Sequence, residues 1–136
     1  MKDGLVQNKL NNFWEGKINK IDFNILSNKI LFSLEIIENK KVTLHEIEFI
    51  NVSTYYFVNN STDKRHAFIK EDYDDYLEMT SIYLIDSDTV INLESDKEKW
   101  LTQYCAKVNI ALEIWSSLFL IEAEEIRIDS EYIKLI

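Results

Sequence analysis

The sequence predicts a mainly β fold, in which an antiparallel meander forms a sandwich or a partly open barrel. Apolar and polar residues alternate with period two over most of residues 13–58, as in strands that bury one face. Short polar segments separate these stretches and can turn the chain. The chain has 136 residues, of which 46% are hydrophobic, and we therefore assign residues 1–136 to a single domain.

The first half of the chain predicts four strands in succession. Residues 1–12 are polar and rich in asparagine, and we expect a loose lead-in or one short helix there. The following segments alternate or are rich in β-branched and aromatic residues, and Asn in the turns between them tolerates a positive φ. Strands are expected around residues 23–25, 30–37, 42–50 and 52–58, with turns at residues 27–28 and 38–40.

In the third of these strands, apolar residues occupy both even-numbered and odd-numbered positions. Val42 and Leu44 are at even-numbered positions, whereas Ile47 and Phe49 are at odd-numbered positions. Successive side chains of a strand point to opposite faces, so one buried face cannot include both pairs unless an extra residue intervenes. We therefore predict a β-bulge near residues 45–46.

The second half continues the meander around one short helix. Ser95 and Glu98 have the spacing of a capping box, and Trp100, Leu101 and Tyr104 follow on one helical face. These features predict a helix near residues 96–105. Strands are expected on either side of it, as a hairpin of residues 81–85 and 89–93, then at residues 108–114 and 118–129, with an edge strand at 132–136.

Charge is the first indication of a partner. The formal net charge is −9, and residues 71–136 contain 16 acidic and 5 basic side chains. Binding to nucleic-acid phosphates or to an anionic membrane requires clustered Lys and Arg. We therefore expect neither a nucleic acid nor a membrane as partner, and the charge favours a basic protein.

Few residues suit catalysis or metal binding. His45 and His66 are the only histidines, and with Cys105 they match no zinc-site spacing. Gly4 and Gly16 are too few for a phosphate-binding loop. We therefore predict no catalytic residue, no metal site, no cofactor and no enzymatic function. The single cysteine and the lack of a signal-like apolar segment predict a cytoplasmic protein.

One segment combines carboxylates with tyrosines and is our candidate for binding a partner protein. Carboxylates attract a basic surface, and tyrosines add rigid contact area with a polar tip. The alternative is an acidic loop that is simply solvated. The candidate residues, called the acidic strip below, are Glu71, Asp72, Tyr73, Asp74, Asp75, Tyr76 and Glu78.

Three stretches of the chain have a recognisable pattern: FWEGKI at residues 13–18, HEIEFINVSTYYF at 45–57 and ALEIWSSLFLIEA at 111–123. They resemble the YxiG-like family of small proteins from Bacillus and related bacteria. The similarity extends over about residues 13–129. Members tend to be encoded near secreted LXG-type toxins, so the resemblance implies an immunity role, in which the protein binds and neutralises a toxin.

Three hypotheses about function follow. The first is a cytoplasmic immunity protein that binds its cognate toxin directly. The second is a ligand-binding β-barrel whose Trp and Tyr residues line an apolar cavity, which requires an open interior. The third is an enzyme that uses His45 or His66, which requires a carboxylate within hydrogen-bond reach of the imidazole in one cleft.

Overall fold

The structure is a computed structural model that describes residues 2–60, 77–85 and 88–136. A helix, α1 (Lys2–Asn11), precedes the strands, and 3₁₀ helices occupy Ile25–Ser27 and Lys99–Tyr104. The strands are β1 (Gly16–Asn24), β2 (Lys29–Glu38), β3 (Lys41–Val58), β4 (Leu77–Leu84), β5 (Val90–Ile91), β6 (Ala106–Lys107), β7 (Ile110–Ile114), β8 (Ser117–Ile128) and β9 (Glu131–Lys134).

Six antiparallel strands form a closed barrel. Neighbouring strands pair in the order β3, β2, β1, β4, β7, β8, and β8 pairs back onto β3 to close the ring. Strand β9 pairs with the last part of β8, and β5 pairs with β6 in a separate ribbon. The predicted mainly β, antiparallel class is confirmed. The barrel is fully closed, whereas the sequence indicated a sandwich or a partly open barrel.

Side chains fill the interior of the barrel. In β2, Ile30, Phe32 and Leu34 are buried and point inward, while the residues between them are only half-buried. The rings of Phe32 and Phe49 meet edge to face, with their centroids 5.9 Å apart. The period-two alternation therefore identified the inner face of β2 correctly. Other side chains of the interior with no exposed surface are Ile47, Met79, Ile82, Ile110, Leu112, Ile121 and Ile126.

The first residues form a packed helix instead of a loose lead-in. Val6 and Leu10 of α1 are buried in the same cluster as the barrel core. The Gln7 side chain donates to the carbonyl of Ile82 over 3.0 Å and accepts from the backbone N–H of Leu84 over 2.8 Å. Of the two alternatives for residues 1–12, the short helix is therefore correct. The sequence of this helix contains only a few apolar residues, so its helical periodicity is weak.

The predicted bulge at residues 45–46 is wrong. Strands β2 and β3 pair without interruption from Lys29 opposite Ile50 to Glu38 opposite Lys41. Val42 and Leu44 lie on the outer face and are exposed, so no extra residue is needed to bury them. The irregularity of β3 lies further along, between Val52 and Thr54 opposite β8, next to Asn51, whose φ is 54°.

The helix predicted near residues 96–105 is shorter and of another type. Ser95 Oγ accepts from the backbone N–H of Glu98 over 2.9 Å, but Glu98 itself is the residue that precedes the helix, and no side chain caps it. The segment that follows is the 3₁₀ helix Lys99–Tyr104, none of whose residues is buried. Cys105, which directly follows this helix, is also exposed. The spacing of Trp100, Leu101 and Tyr104 predicted an apolar helical face, but it did not show that this face remains unburied.

The predicted hairpin of residues 81–85 and 89–93 is also wrong. Residues 81–84 belong to β4, which pairs with β1 and β7 inside the barrel. The strand after it, β5, pairs with β6 instead. The predicted strands at 108–114 and 118–129 correspond to β7 and β8, and the edge strand predicted at 132–136 corresponds to β9.

Candidate functional site

Exposed apolar side chains gather around the turn between β1 and β2. Ile25 and Leu26 are on the 3₁₀ turn, and Leu26 is 99% exposed. Phe23 at the end of β1 and Tyr55 in β3 have ring centroids 5.4 Å apart and are about half exposed. We call Phe23, Ile25, Leu26, Tyr55 and Phe57 the aromatic surface. A contiguous exposed apolar region of this kind is typical of interaction sites in soluble proteins.

One buried ring supports the aromatic surface from below. Phe119 of β8 is 2% exposed, and its ring contacts those of Phe23, Tyr55 and Phe57 at centroid distances of 5.9, 6.4 and 5.8 Å. Aromatic pairs in such arrangements contribute about 0.5–1.5 kcal/mol beyond the area they bury. The exposed rings are therefore held in place before any partner binds.

Local hydrogen bonds fix the turn that carries Ile25 and Leu26. Asn24 Oδ1 accepts from the backbone N–H of Ser27 over 3.2 Å, and Asn28 ends the turn in the left-handed region with φ of 57°. The carbonyl of Asn28 also accepts from the N–H of Val52 over 2.8 Å, which ties the turn to β3. The backbone that carries the two apolar side chains is therefore fixed. Sequence reasoning missed them, because alternation placed Phe23 and Ile25 in one strand, whereas β1 includes Phe23 but ends before Ile25.

A groove of about 720 Å³ borders the aromatic surface. Phe23, Ile25 and Tyr55 line one part of it, and residues 103–107 line another. Its polar lining includes Lys29, Lys107 and Glu122. The Glu122 carboxylate accepts from Ser53 Oγ over 2.6 Å, so the groove combines apolar walls with positioned polar groups.

A second group of residues joins β3 to the turn after β8. His45 Nδ1 lies 2.8 Å from Asp129 Oδ2, and His45 Nε2 lies 2.9 Å from Thr43 Oγ1. The other carboxylate oxygen of Asp129 accepts from the N–H of Glu46 over 2.9 Å. We call Thr43, His45 and Asp129 the His45 cluster. It places a carboxylate within reach of a histidine, as the enzyme hypothesis required.

Two ionisable groups near this cluster have shifted pKa values. Partial burial by itself would raise the pKa of Asp129, but hydrogen bonds from His45 and the Glu46 N–H outweigh it and lower that pKa. Burial would also lower the pKa of Arg127, but its hydrogen bonds to Glu48 and Glu46 outweigh that effect and raise it. Both groups therefore keep their charges more firmly than usual.

Most of the predicted site residues lie outside the described residues. These are Glu71, Asp72, Tyr73, Asp74, Asp75 and Tyr76, together with His66. Glu78 is described: it lies in β4, is half-buried, and accepts from Thr80 Oγ1 over 3.1 Å. Among residues 2–60, 77–85 and 88–136, no group of His, Cys, Asp and Glu side chains has the arrangement of a metal site.

Comparison with known families gives one match. A family model described as YxiG-like protein matches residues 6–133. The chain belongs to the YxiG-like family. No curated protein and no solved structure matches it. Within the part of the chain that the structure describes, no helix is both long enough and apolar enough to span a bilayer.

The residues that carry the YxiG-like resemblance are mostly structural. Phe13 is buried in the core, and Trp14 packs against Tyr83 at a centroid distance of 5.0 Å. A Cβ atom on Gly16 would lie 2.8 Å from the carbonyl oxygen of Phe13 and from Ile36 Cδ1, so only glycine fits there. Two residues of the same stretches, Tyr55 and Phe57, belong to the aromatic surface.

Proposed function

We propose that this protein is a cytoplasmic immunity protein that binds and neutralises a bacterial toxin. The aromatic surface is the observation that carries the proposal. Protein interfaces rely on a few rigid aromatic and aliphatic anchors surrounded by polar groups. Phe23, Tyr55 and Leu26 provide such anchors, and Lys29 and Glu122 lie beside them in the bordering groove. The resemblance to proteins encoded near LXG-type toxins supports a toxin as the partner.

The packing of the barrel favours a protein partner over a small ligand. The ligand-binding hypothesis requires space inside the barrel, whereas the described interior positions, such as Phe32, Phe49 and Leu112, are filled by packed side chains. The exposed apolar groups instead lie on an open surface, where Leu26 projects almost completely into solvent. An open surface with projecting anchors suits another protein surface better than a molecule that needs enclosure.

Charge supports a basic toxin. The net charge of −9 attracts a positively charged partner at long range and raises the rate of encounter. We therefore keep the acidic strip as a second part of the proposed interface, with the aromatic surface providing the desolvated contacts. In this arrangement the carboxylates act mainly on the association rate, and the aromatic surface acts mainly on the dissociation rate.

Binding to a toxin is the direct test. The purified product of an LXG-type toxin gene that neighbours the gene for this protein is titrated with the wild-type protein and with Leu26→Ser. We expect Leu26→Ser to weaken binding at least tenfold, because it removes an exposed apolar anchor, and tenfold corresponds to about 1.4 kcal/mol.

Leu44→Ser is the matched control, because Leu44 is 73% exposed and lies on the outer face of the β2–β3 hairpin. It should leave the affinity unchanged. A wild-type protein that does not bind the neighbouring toxin contradicts the immunity function. Equal losses for the two variants contradict the aromatic surface as the interface.

A further inference from the structure

We propose that Thr43 is a nucleophile that accepts an acyl group from neutral esters, with His45 as its base and Asp129 as the residue that positions His45. This activity is separate from the proposed binding function and uses another part of the surface. Thr43 and His45 lie in β3, whereas Asp129 lies in the turn after β8, 84 positions from His45 in the sequence. The pairing of β3 with β8 brings them together.

The hydrogen bonds have the order required to activate a hydroxyl group. Asp129 Oδ2 contacts His45 Nδ1 at 2.8 Å, and His45 Nε2 contacts Thr43 Oγ1 at 2.9 Å. A carboxylate, an imidazole and a hydroxyl in this sequence form the arrangement of nucleophilic hydrolases, which is recognised by geometry and roles instead of by fold. The N–H of Glu46 holds the second Asp129 oxygen at 2.9 Å, so the carboxylate is fixed at both oxygens.

Hydrogen-bond chemistry assigns the proton positions. An ionised Asp129 only accepts, so Nδ1 of His45 must carry the proton in their hydrogen bond. In the neutral imidazole Nε2 is then an acceptor, and the Thr43 hydroxyl donates to it. The other acceptor near this hydroxyl, the carbonyl of Ile36, is more distant at 3.5 Å. The Thr43 proton therefore points at the base that would remove it.

A groove beside the cluster indicates the kind of substrate. Phe13, Ile36 and Ile128 give it apolar walls next to Thr43, with a volume of about 670 Å³. The rings of Phe13 and His45 also pack edge to face, with their centroids 5.1 Å apart. Glu38, Glu131 and Lys9 line the same groove; Lys9 pairs with Glu131, which leaves the Glu38 carboxylate to disfavour an anionic substrate. The groove therefore suits a neutral ester with a small apolar acyl group.

The reaction balances without a cofactor. Thr43 Oγ1 forms a bond to the acyl carbon while its proton passes to His45 Nε2. The bond from the acyl carbon to the leaving oxygen breaks, and the proton on Nε2 passes to that oxygen. Water then adds to the acyl-threonine with His45 as base, which releases the carboxylic acid and restores the Thr43 hydroxyl.

Hydrolysis of p-nitrophenyl acetate tests the proposal, with intact-mass and peptide mass spectrometry to locate the acetyl group. We expect an acetyl adduct on Thr43 and at least a tenfold loss of the enzymatic rate in Thr43→Val, with Thr43→Ser active. Thr43 is exposed in a strand, so Val preserves shape and strand propensity. In Asp129→Asn the amide would donate to Nδ1, move the imidazole proton to Nε2, and lower kcat tenfold or more without changing KM.

Thr54→Val is the matched control, because the Thr54 hydroxyl is also in β3 but contacts Glu122 instead of a histidine. It should retain the wild-type rate. A rate that is unchanged in Thr43→Val overturns the proposal. So does an acetyl group found only on His45 or on lysines, since these react with the ester without Thr43.

Discussion

The aromatic surface and the His45 cluster lie toward opposite ends of β2 and differ in what their atoms contact. The aromatic surface adjoins the turn that precedes Lys29, whereas Leu34 and Ile36 near the other end pair with His45 and Thr43. In the His45 cluster, hydrogen bonds link imidazole, hydroxyl and carboxylate. On the aromatic surface, apolar groups such as Leu26 remain in contact with water.

This contrast predicts different effects of substitutions on folding stability. Substitutions in the hydrogen-bonded cluster remove contacts that the folded state makes by itself, so they should reduce the free energy of unfolding. Substitutions of exposed apolar groups remove little from the folded state, so a measurable effect should appear only when a partner binds. The comparison fails if substitutions on the aromatic surface lower the free energy of unfolding as much as substitutions in the His45 cluster.

The largest expected effect is at the ring beneath the aromatic surface. Phe119→Ala should lower the free energy of unfolding by about 3 kcal/mol or more, because it leaves a cavity beneath four neighbouring rings. Denaturant unfolding at equilibrium measures the loss. Phe57→Ala is the control and should cost about 1 kcal/mol or less, since half of that side chain is already exposed. Similar losses would show that the exposed ring is part of the core.

The next effect in size depends on pH. Asp129 has a lowered pKa in the folded protein, so its contribution to stability is present above its ordinary value of 3.8 and disappears as the pH falls through the lowered pKa. Asp129→Asn should cost about 1 kcal/mol near neutral pH, since the carboxylate is nearly half exposed, and less at about pH 3. Urea unfolding at both pH values measures this difference.

Glu131→Gln provides the comparison for that experiment. Glu131 pairs with Lys9 at an exposed position, and such a pair is worth about 0.5 kcal/mol or less. Its removal should therefore change stability little at either pH. If Asp129→Asn and Glu131→Gln behave alike, the His45 cluster contributes no more than an ordinary surface ion pair.

The sequence predicted local features better than contacts between distant residues. Alternation identified the buried face of β2, and the spacing of Ser95 and Glu98 predicted a real hydrogen bond between them, although it does not cap the 3₁₀ helix that follows. The bulge prediction fails because it requires Val42 and Leu44 to be buried, whereas both are exposed. The contact between His45 and Asp129 could not be predicted, because it depends on barrel closure between β3 and β8.

A smaller effect on folding is expected at the turn. Leu26→Ser should change the free energy of unfolding by less than about 0.5 kcal/mol, because the side chain has almost no contacts to lose. Thermal and denaturant unfolding measure this directly, with Leu44→Ser as the exposed control on the outer hairpin face. A loss above about 1 kcal/mol would mean that Leu26 packs against the protein and is not available as an anchor.

The smallest expected effect on folding is at the acidic strip. Replacing Asp72, Asp74 and Asp75 by Asn should alter the free energy of unfolding by about 0.5 kcal/mol or less per site, and relief of self-repulsion could stabilise the domain. Association with a basic toxin should slow, and the salt dependence of the association rate should weaken.

A control that changes the net charge equally replaces Glu38, Glu94 and Asp96, all exposed, by amides. Stopped-flow association across a salt series compares the two triple variants. A slower rate for the first variant alone places the acidic strip at the interface, whereas equal rates at low salt would show that only the net charge of −9 attracts the toxin.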